Sequence, residues 1–367
     1  MKWSWKIARI AGIDVYMHAT FLLLLGWVAL NYWINEGSAQ AVLAGVLFLL
    51  ALFACVLLHE FGHALTARQF GIQTRDITLL PIGGLARLER MPEKPLQELW
   101  VALAGPAVNM VIAAALFVIL LITNAFEPLS TLSVTGGNFL QRLLAVNATL
   151  ALFNLIPAFP MDGGRVVRAL LATRMEYTQA TQWAATLGQA VAFLLGFIGL
   201  FGNPFLIFIA LFVWIGAAQE ASMVQMKAAL SGIPVSRAML TDFHTLSPTD
   251  PLARPVEYIL SGHQHDFPVV VNGSVVGLVT REDVVRALAQ HDERMFVSHI
   301  MRKDFDTVDS SQMLDGVAAQ VQNSGQSILP VVHNGVLVGL LSMENVGEFL
   351  MIQNAVRARK MSQMSPF

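Results

Sequence analysis

The sequence predicts a polytopic α-helical membrane protein with a small membrane-associated β-structure and a C-terminal soluble α/β domain. Of its 367 residues, 55% are hydrophobic and only 13% are charged, whereas soluble proteins carry about 25% charged residues. Apolar segments fill the chain up to about residue 224, and from about residue 228 charged residues return and an internal repeat begins. We therefore expect a membrane domain at residues 1–226 and a cytoplasmic domain at residues 227–367.

Six apolar segments approach the roughly 20 residues that a helix needs to cross the bilayer core. They lie at about residues 18–33, 41–66, 99–123, 140–160, 183–202 and 204–224. Lys and Arg cluster before the first segment, after the second and after the fourth, and Arg142 alone departs from this alternation. Positive charge marks the cytoplasmic connections, so the sequence predicts a multi-pass protein of the plasma membrane with both termini in the cytoplasm.

The charge balance gives no argument for nucleic-acid binding, and the cysteine count excludes a disulfide within the chain. The formal net charge of −2 provides no basic surface for nucleic acid. The single Cys55 lies in an apolar segment, so no disulfide can form within the chain. The partners that remain are the lipid bilayer and proteins within or beside it.

A metal-binding motif ends the second apolar segment. His59-Glu60-Phe61-Gly62-His63 places two histidines at i and i+4 on one helix face. Both imidazoles can therefore reach one Zn²⁺ ion, with Glu60 placed as a general base for water. Ionisable residues are costly inside a bilayer, so the position of this motif indicates function rather than chance.

A third metal ligand is expected elsewhere in the chain, because catalytic zinc usually has three protein ligands. Asp162 is the best candidate, since it follows a segment interrupted by Pro157 and Pro160 on the same predicted side as His63. Irregular backbone at membrane depth is tolerated only where protein buries it or where it lines a water-filled cavity. The alternative interpretation of Asp162 is a turn residue before two glycines.

Three motifs together resemble the site-2 protease family of intramembrane zinc metalloproteases. They are HEFGH at residues 59–63, GPAVN at 105–109 and Asn-x-x-Pro-x-x-Pro-x-Asp-Gly at 154–163. The resemblance covers about residues 1–225. It implies that His59, His63 and Asp162 bind zinc and that Glu60 is the general base.

The same resemblance places Asn154 at the active site, where its amide would stabilise an oxyanion. A hydrogen bond from Asn154 to backbone near Pro157 is an equally good interpretation, and the two are compatible. Gly105 and Asn109 are interpreted as residues of close helix packing.

A predicted β-hairpin follows the metal-binding helix. Residues 75–90 alternate in polarity around Gly83 and Gly84, and residues 7–16 could add another strand. Proteolysis requires an extended peptide, because a helical substrate keeps its carbonyls in hydrogen bonds. The hairpin edge is therefore placed to pair with a transmembrane protein substrate near Gly83 and Gly84. The alternative is an interfacial loop with a glycine turn.

The C-terminal domain contains a repeat at an offset of 62 residues without a gap. The matching pairs are Val235-Ser236 and Val297-Ser298, Phe267-Pro268-Val269-Val270 and Leu329-Pro330-Val331-Val332, Asn272-Gly273 and Asn334-Gly335, and Gly277-Leu278 and Gly339-Leu340. The units, about residues 232–291 and 294–353, each predict a helix, a strand, an Asn-Gly turn, a second strand and a helix.

This repeat resembles a tandem pair of cystathionine-β-synthase (CBS) domains. The segments 277–283 and 339–345 match the Gly-h-h-Ser/Thr-x-x-Asp/Asn element of such modules, where h is apolar. The resemblance implies that ATP, ADP or AMP could bind through the hydroxyl and ribose-binding residues Thr280, Asp283, Ser342 and Asn345. Helix capping by the hydroxyls is the alternative. The resemblance also implies a homodimer through the CBS domains.

The function predicted from these features is regulated intramembrane proteolysis by a zinc metalloendopeptidase that a CBS pair modulates. The alternative is a channel or transporter gated by its CBS pair, since transport proteins also combine several spans with such sensors. The HExxH motif with a matched aspartate favours the protease, because a transporter does not need a general base between two zinc-spaced histidines.

Overall fold

The computed structural model describes residues 3–89, 92, 94–128, 137–262, 264–290, 295–324 and 326–364. The chain divides into two compact units, Met1–Val224 and Gln225–Phe367. Residue 90 of the predicted hairpin and residues 291 and 294 at the predicted repeat boundaries lie outside the described residues.

The first part of the chain contains one sheet and a set of long helices. Its strands are β1 (Ser4–Ile10), β2 (Ile13–His18), β3 (Thr74–Leu80) and β4 (Gly83–Leu88). Its helices are α1 (Ala19–Glu36), α2 (Ala39–Gln69), α3 (Pro95–Ile122), α4 (Phe139–Asn154), α5 (Asp162–Ala172), α6 (Tyr177–Phe201) and α7 (Phe205–Leu230).

Four of the described helices, α2, α3, α6 and α7, are long and apolar enough to cross a membrane. The prediction of a polytopic helical membrane protein is therefore confirmed, but the count of six spans is not. Helix α1 carries Asn31, Asn35 and Glu36 in its C-terminal half, which lowers its apolar character. Helix α4 has only 16 residues because Pro157 disfavours helix just before it.

The sheet confirms the predicted β-structure and packs beside the helix that carries the metal motif. Its strand order is β1-β2-β3-β4, with β2 and β3 parallel and the outer pairs antiparallel. Ile13, Val15 and Ile77 pack against Phe61 and Ala64 of α2. Because β4 is last in the strand order, it lies at an edge of the sheet, beside the metal-motif helix.

Helices α2 and α3 approach closely where both carry small residues. A Cβ added at Gly62 would lie 2.7 Å from the carbonyl oxygen of Ala104, so only glycine permits this backbone separation. Small residues allow close helix contact in membranes. This contact brings the α2 histidines against α3.

A buried arginine joins three helices of this unit. Arg168 of α5 is fully buried. Its Nε and Nη2 donate to Glu98 Oε1 of α3 at 2.8 and 2.5 Å, and its Nη1 donates to Glu220 Oε1 of α7 at 2.5 Å. A buried charge needs partners of this kind because desolvation is costly. The ion cluster thus fixes α5, the helix that begins at Asp162, against α3 and α7.

The second unit confirms the predicted α/β repeat. It contains a 3₁₀ turn (Val235–Arg237), α8 (Ala253–Ser261), β5 (Phe267–Val271), β6 (Ser274–Val279), α9 (Arg281–Gln290), α10 (Val297–Ile300), β7 (Val308–Asp309), α11 (Leu314–Ser324), β8 (Ile328–His333), β9 (Val336–Ser342) and α12 (Met343–Met364). Strands β5 and β6 form one sheet, and β7, β8 and β9 form another.

The two repeats have matching hairpin geometry. Asn272 and Gly273 have φ values of 51° and 83°, and Asn334 and Gly335 have values of 51° and 81°. Positive φ at both central residues defines the type I′ turn that matches the twist of paired strands. Both hairpins also carry a register shift at corresponding positions, between Val269 and Val270 and between Val331 and Val332.

Each repeat completes the packing of the other through a methionine–glycine contact. A Cβ at Gly277 would lie 2.9 Å from the sulfur of Met301, and one at Gly339 would lie 2.7 Å from the sulfur of Met239. The backbone pairs accordingly, between Leu278 and Arg302 and between Leu240 and Leu340. The recurring methionine and glycine in the sequence therefore form the joint between the repeats.

Replacing Arg168 with leucine is expected to destabilise the protein by about 3–5 kcal/mol, because it leaves Glu98 buried without its counter-charge. Thermal unfolding of the purified protein in detergent measures the effect. The exposed Arg174 provides the matched control, and Arg174→Leu should leave the unfolding temperature nearly unchanged. Equal unfolding temperatures for both variants would contradict a structural role of the ion cluster.

Candidate metal centre and active-site cavity

Three predicted metal ligands meet at one point. The Nε2 atoms of His59 and His63 are 3.1 Å apart. Asp162 Oδ2 lies 3.3 Å from the former and 3.2 Å from the latter. All three residues are buried. The structure thus brings together side chains from α2 and from the start of α5 that are about a hundred residues apart in the sequence.

The hydrogen bonds of the two imidazoles define their tautomers. His59 Nδ1 lies 2.5 Å from Asn109 Oδ1, and His63 Nδ1 lies 2.7 Å from the backbone oxygen of Val101. Both oxygens can only accept, so each Nδ1 carries the proton and donates it. When both rings are neutral, each Nε2 therefore presents a lone pair toward Asp162.

This arrangement fits a zinc ion. Asp162 Oδ2 is buried, so with both rings neutral three electron-rich atoms face one another. Such a set is unfavourable unless a cation joins it. Ligand atoms held roughly 2.0–2.1 Å from a tetrahedral zinc ion lie about 3.3 Å apart, close to the observed separations of 3.1–3.3 Å. His59, His63 and Asp162 could therefore hold a metal ion.

Asp162 reaches the histidines because the chain is irregular between α4 and α5. Helix α4 ends before Pro157, and α5 begins at Asp162. Gly163 and Gly164 lie directly against the backbone of Ile156 and Phe159, where an added Cβ would overlap main-chain atoms. The two glycines thus let the irregular segment fold back over the first turn of α5.

Gly105 makes room for both metal-binding rings. A Cβ at this position would overlap His63 Nε2 and would lie 2.7 Å from His59 Nε2. The interpretation of Gly105 as a packing residue is therefore incomplete, because the α2 surface against which α3 packs here includes the imidazoles themselves.

Glu60 and the predicted substrate-contacting glycines line a common cavity. This cavity of about 250 Å³ also includes His59 and Asn154. Gly84 lies against the Glu60 side chain, since an added Cβ would be 2.6 Å from Glu60 Cγ. Gly83 has a φ of 140°, which favours glycine. The structure therefore places the β4 edge next to the expected general base.

Asn154 lies beside the candidate active site, and its hydrogen bond goes to Leu150 rather than to the backbone near Pro157. Its Nδ2 donates to the backbone oxygen of Leu150 at 3.0 Å, one turn back in α4. Its side chain also lines the cavity that contains Glu60. The hydrogen bond helps to end α4, and it leaves the residue beside the candidate active site.

Sequence reasoning missed Asn147 and the part that Asn109 plays. Asn109 lies against His59 and donates from Nδ2 to Asn147 Oδ1 at 2.9 Å. Both asparagines are fully buried. A fully buried asparagine in an apolar helix is costly without partners, and the spacing of Asn147 and Asn154, two turns apart on α4, could have indicated that both face the site.

A second cavity, of about 550 Å³, lies in the CBS unit. Thr280, Arg281 and Arg302 line it together with residues that precede β5 and β8. Of the four predicted nucleotide-binding residues, Thr280 lines this cavity, whereas Asp283, Ser342 and Asn345 are not among the residues that line it. Arg302 donates from Nε and Nη2 to the two carboxylate oxygens of Asp283, both at 2.8 Å.

The predicted helix caps are formed in both repeats. Thr280 Oγ1 accepts from the Asp283 backbone N–H at 3.3 Å, and Ser342 Oγ accepts from the Asn345 backbone N–H at 3.2 Å. Thr280 Oγ1 also donates to Asp283 Oδ2 at 2.7 Å. Burial alone raises the pKa of Asp283, but the hydrogen bonds from Arg302 and Thr280 outweigh it and hold that pKa below its ordinary value. Asp283 is consequently ionised and paired with Arg302, a residue of the other repeat.

Comparison with known proteins identifies both parts of the chain. The family model for peptidase family M50 matches residues 47–135 and 127–195, and the CBS domain model matches residues 235–290 and 297–351. A zinc metalloprotease of Methanocaldococcus jannaschii is 31% identical over 94% of this chain and 96% of its own length. Stage IV sporulation protein FB of Bacillus subtilis is 29% identical over 42% of this chain and 51% of its own length. The solved structure of a site-2 protease from M. jannaschii has 36% identity and a TM-score of 0.44, and the match covers 60% of this chain and 95% of that one.

These features define a membrane-embedded metalloprotease with a CBS pair rather than a gated channel or transporter. The chain belongs to peptidase family M50 and is a site-2-type zinc metalloprotease. The resemblances to the site-2 protease family and to tandem CBS domains are both confirmed.

Replacing Gly105 with alanine is expected to weaken zinc binding by on the order of 10- to 100-fold, the range found when the surroundings of metal ligands are disturbed. The added methyl group would displace the His59 and His63 rings. Zinc affinity is measured by competition with a chelator. Gly26→Ala is the control, because a Cβ at that helical glycine meets open space. Unchanged zinc affinity in Gly105→Ala would show that the rings do not bind the metal in this geometry.

Proposed function

We propose that this protein hydrolyses peptide bonds in or near transmembrane segments of membrane protein substrates. His59, His63 and Asp162 hold one zinc ion, and Glu60 is the general base. The observation that carries the proposal is the triangle of three buried donor atoms, one of which belongs to His59, a residue that lines the same cavity as Glu60. Family membership supports zinc as the metal and peptide hydrolysis as the reaction.

The reaction follows from the positions of the residues. Zinc, when bound, supplies a Lewis acid that polarises the scissile carbonyl and makes water more acidic. Glu60 accepts a proton from the attacking water and delivers it to the nitrogen of the leaving amine. The carbon–nitrogen bond breaks, leaving a carboxyl group on one product and an amine on the other. Asn154, in the same cavity, is placed to donate to the developing oxyanion.

Strand β4 is the proposed substrate-binding edge. It is hydrogen-bonded to β3 along one side and is last in the strand order. Its first residues, Gly83 and Gly84, border the cavity that contains Glu60. An extended substrate segment that adds to this edge would carry its carbonyls past the metal site. The glycines keep this approach free of side chains.

The proposed topology and assembly rest on the sequence pattern. Both termini and the CBS pair would lie in the cytoplasm, because Lys and Arg cluster in alternate connections. The plasma membrane is the proposed location. The CBS pair is the proposed surface for homodimer formation.

Glu60→Gln is expected to abolish cleavage of a single-span membrane substrate while zinc content stays at the wild-type level. The amide keeps the size of the side chain but cannot accept the proton. A loss of 10²-fold or more in rate is expected from general-base removal, about the scale of such catalysis. Incubating the purified proteins with the substrate and separating the products on a gel measures the rate.

His59→Ala provides the complementary variant, because it should lose both zinc and activity. Glu89→Gln, a change of the same chemistry outside the described cavity, should leave both unchanged. Equal cleavage by Glu60→Gln and wild type would contradict the proposed mechanism.

We further propose that an adenine nucleotide binds the CBS cavity and modulates proteolysis. Arg281 and Arg302 supply positive charge, but Asp266, Glu282, Asp304 and Asp306 also line the cavity. In addition, Asp266 Oδ1 accepts from the Arg281 backbone N–H at the start of α9. This carboxylate occupies the helix end where a phosphate would otherwise bind. The charge balance therefore favours AMP over ADP and ATP.

Titration of the full-length protein by calorimetry is expected to show affinity that falls in the order AMP, ADP, ATP. Arg302→Gln should weaken AMP binding, because it removes a cavity cation, whereas Arg254→Gln, outside the cavity, should not. The absence of any heat at millimolar nucleotide would contradict the sensor proposal. ATP binding tighter than AMP would contradict the role given to the cavity carboxylates.

A further inference from the structure

A line of buried amides leads from helix α4 to one of the proposed zinc ligands. Asn147 Nδ2 donates to the backbone oxygen of Leu143 at 2.9 Å. Asn109 Nδ2 donates to Asn147 Oδ1 at 2.9 Å. Asn109 Oδ1 faces His59 Nδ1 at 2.5 Å. Both asparagines have no solvent-accessible surface, so water cannot substitute for any of these partners.

The direction of each hydrogen bond follows from the one before it. The Leu143 carbonyl can only accept, so it orients the Asn147 amide with its NH₂ group toward that carbonyl. Asn147 Oδ1 must then point to Asn109, which orients the NH₂ group of Asn109 toward it. The oxygen of Asn109 is consequently left to face His59.

An asparagine is a useful but ambiguous partner for a metal-binding histidine. If the Asn109 amide rotated by 180°, its NH₂ group would face His59 Nδ1 and would favour the tautomer with the proton on Nε2. That tautomer has no lone pair at the atom that faces His63 and Asp162. Partners at the second ring nitrogen commonly fix the tautomer of metal-binding histidines.

We infer that Asn109 and Asn147 are positioning residues that hold His59 in the Nδ1-protonated tautomer and thereby leave its Nε2 lone pair free for the metal. The inference rests on the proposed ligand role of His59. Asn147 acts through Asn109, since its amide bonds are to Asn109 and Leu143. Its effect on zinc is therefore an effect on the orientation of one amide.

The test is a double-mutant cycle on the full-length protein, with zinc affinity measured by chelator competition. Leucine is close to asparagine in size but has no acceptor, so Asn147→Leu releases the Asn109 amide. We expect zinc affinity to fall by about 10- to 100-fold, the range for lost outer partners of a metal site. In Asn109→Asp either carboxylate oxygen can accept from His59, so no wrong orientation exists at that ring. This variant also loses the donor to Asn147 Oδ1, so its own zinc affinity is the reference for the double variant.

The decisive variant combines the two changes. If Asn147 acts by orienting the Asn109 amide, Asn147→Leu should cause no further loss of zinc affinity in the Asn109→Asp background, because it only removes the acceptor that faces the carboxylate. An equal loss in both backgrounds would show that Asn147 acts by packing and would overturn the inference. Wild-type affinity in Asn147→Leu alone would overturn it as well.

Gln141→Leu is the matched control for losing a buried amide from the same helix. Gln141 is buried, and its amide bonds to the backbone of Glu127 rather than to the metal site. This variant should keep wild-type zinc affinity whatever its stability. His59→Ala separates the inference from the proposed function, because zinc retention in that variant would remove the ligand assignment itself.

Discussion

The structure of the N-terminal unit depends on burying three electron-rich atoms close together. Two imidazole nitrogens and one carboxylate oxygen lie within 3.3 Å of one another, in a region with few polar groups. Without a cation this arrangement is repulsive, and in low dielectric the repulsion is strong. The surrounding features can each be understood as holding these atoms in place. Gly62 and Gly105 bring α3 against the histidines, and the glycines after Asp162 bring α5 to them.

A second buried cluster of charged side chains also joins α5 to α3, and it includes α7 as well. Helix α5 carries Asp162 in its first turn and Arg168 fewer than two turns later. Arg168 bonds to Glu98 on α3 and Glu220 on α7. Since α5 is short, fixing Arg168 also restricts where Asp162 can lie. The ion cluster therefore contributes to the geometry of the metal centre as well as to stability.

Local spacing made much of this protein predictable from its sequence. Two histidines one helical turn apart, an aspartate after a proline-interrupted segment, and Asn-Gly turns repeated at a fixed offset are signals that lie within short stretches of chain. The interactions that escaped prediction join residues far apart. Asn147 meets Asn109 across two helices, and Arg168 meets Glu98 from 70 positions away. Which partner each of these polar residues meets depends on how the helices pack. The count of six spans is not confirmed, because α1 carries polar residues in its C-terminal half and α4 has only 16 residues.

A strand edge recognises the backbone of its partner more than its side chains. The outer edge of β4 begins with two residues that have no side chains, so this part of the protein offers main-chain groups next to Glu60. Selection at such a surface would depend on how readily a membrane helix gives up its internal hydrogen bonds. Two substrates of unrelated sequence would then be equivalent if their helices unwind with equal ease, and the discriminating property would be the local conformational stability of the substrate.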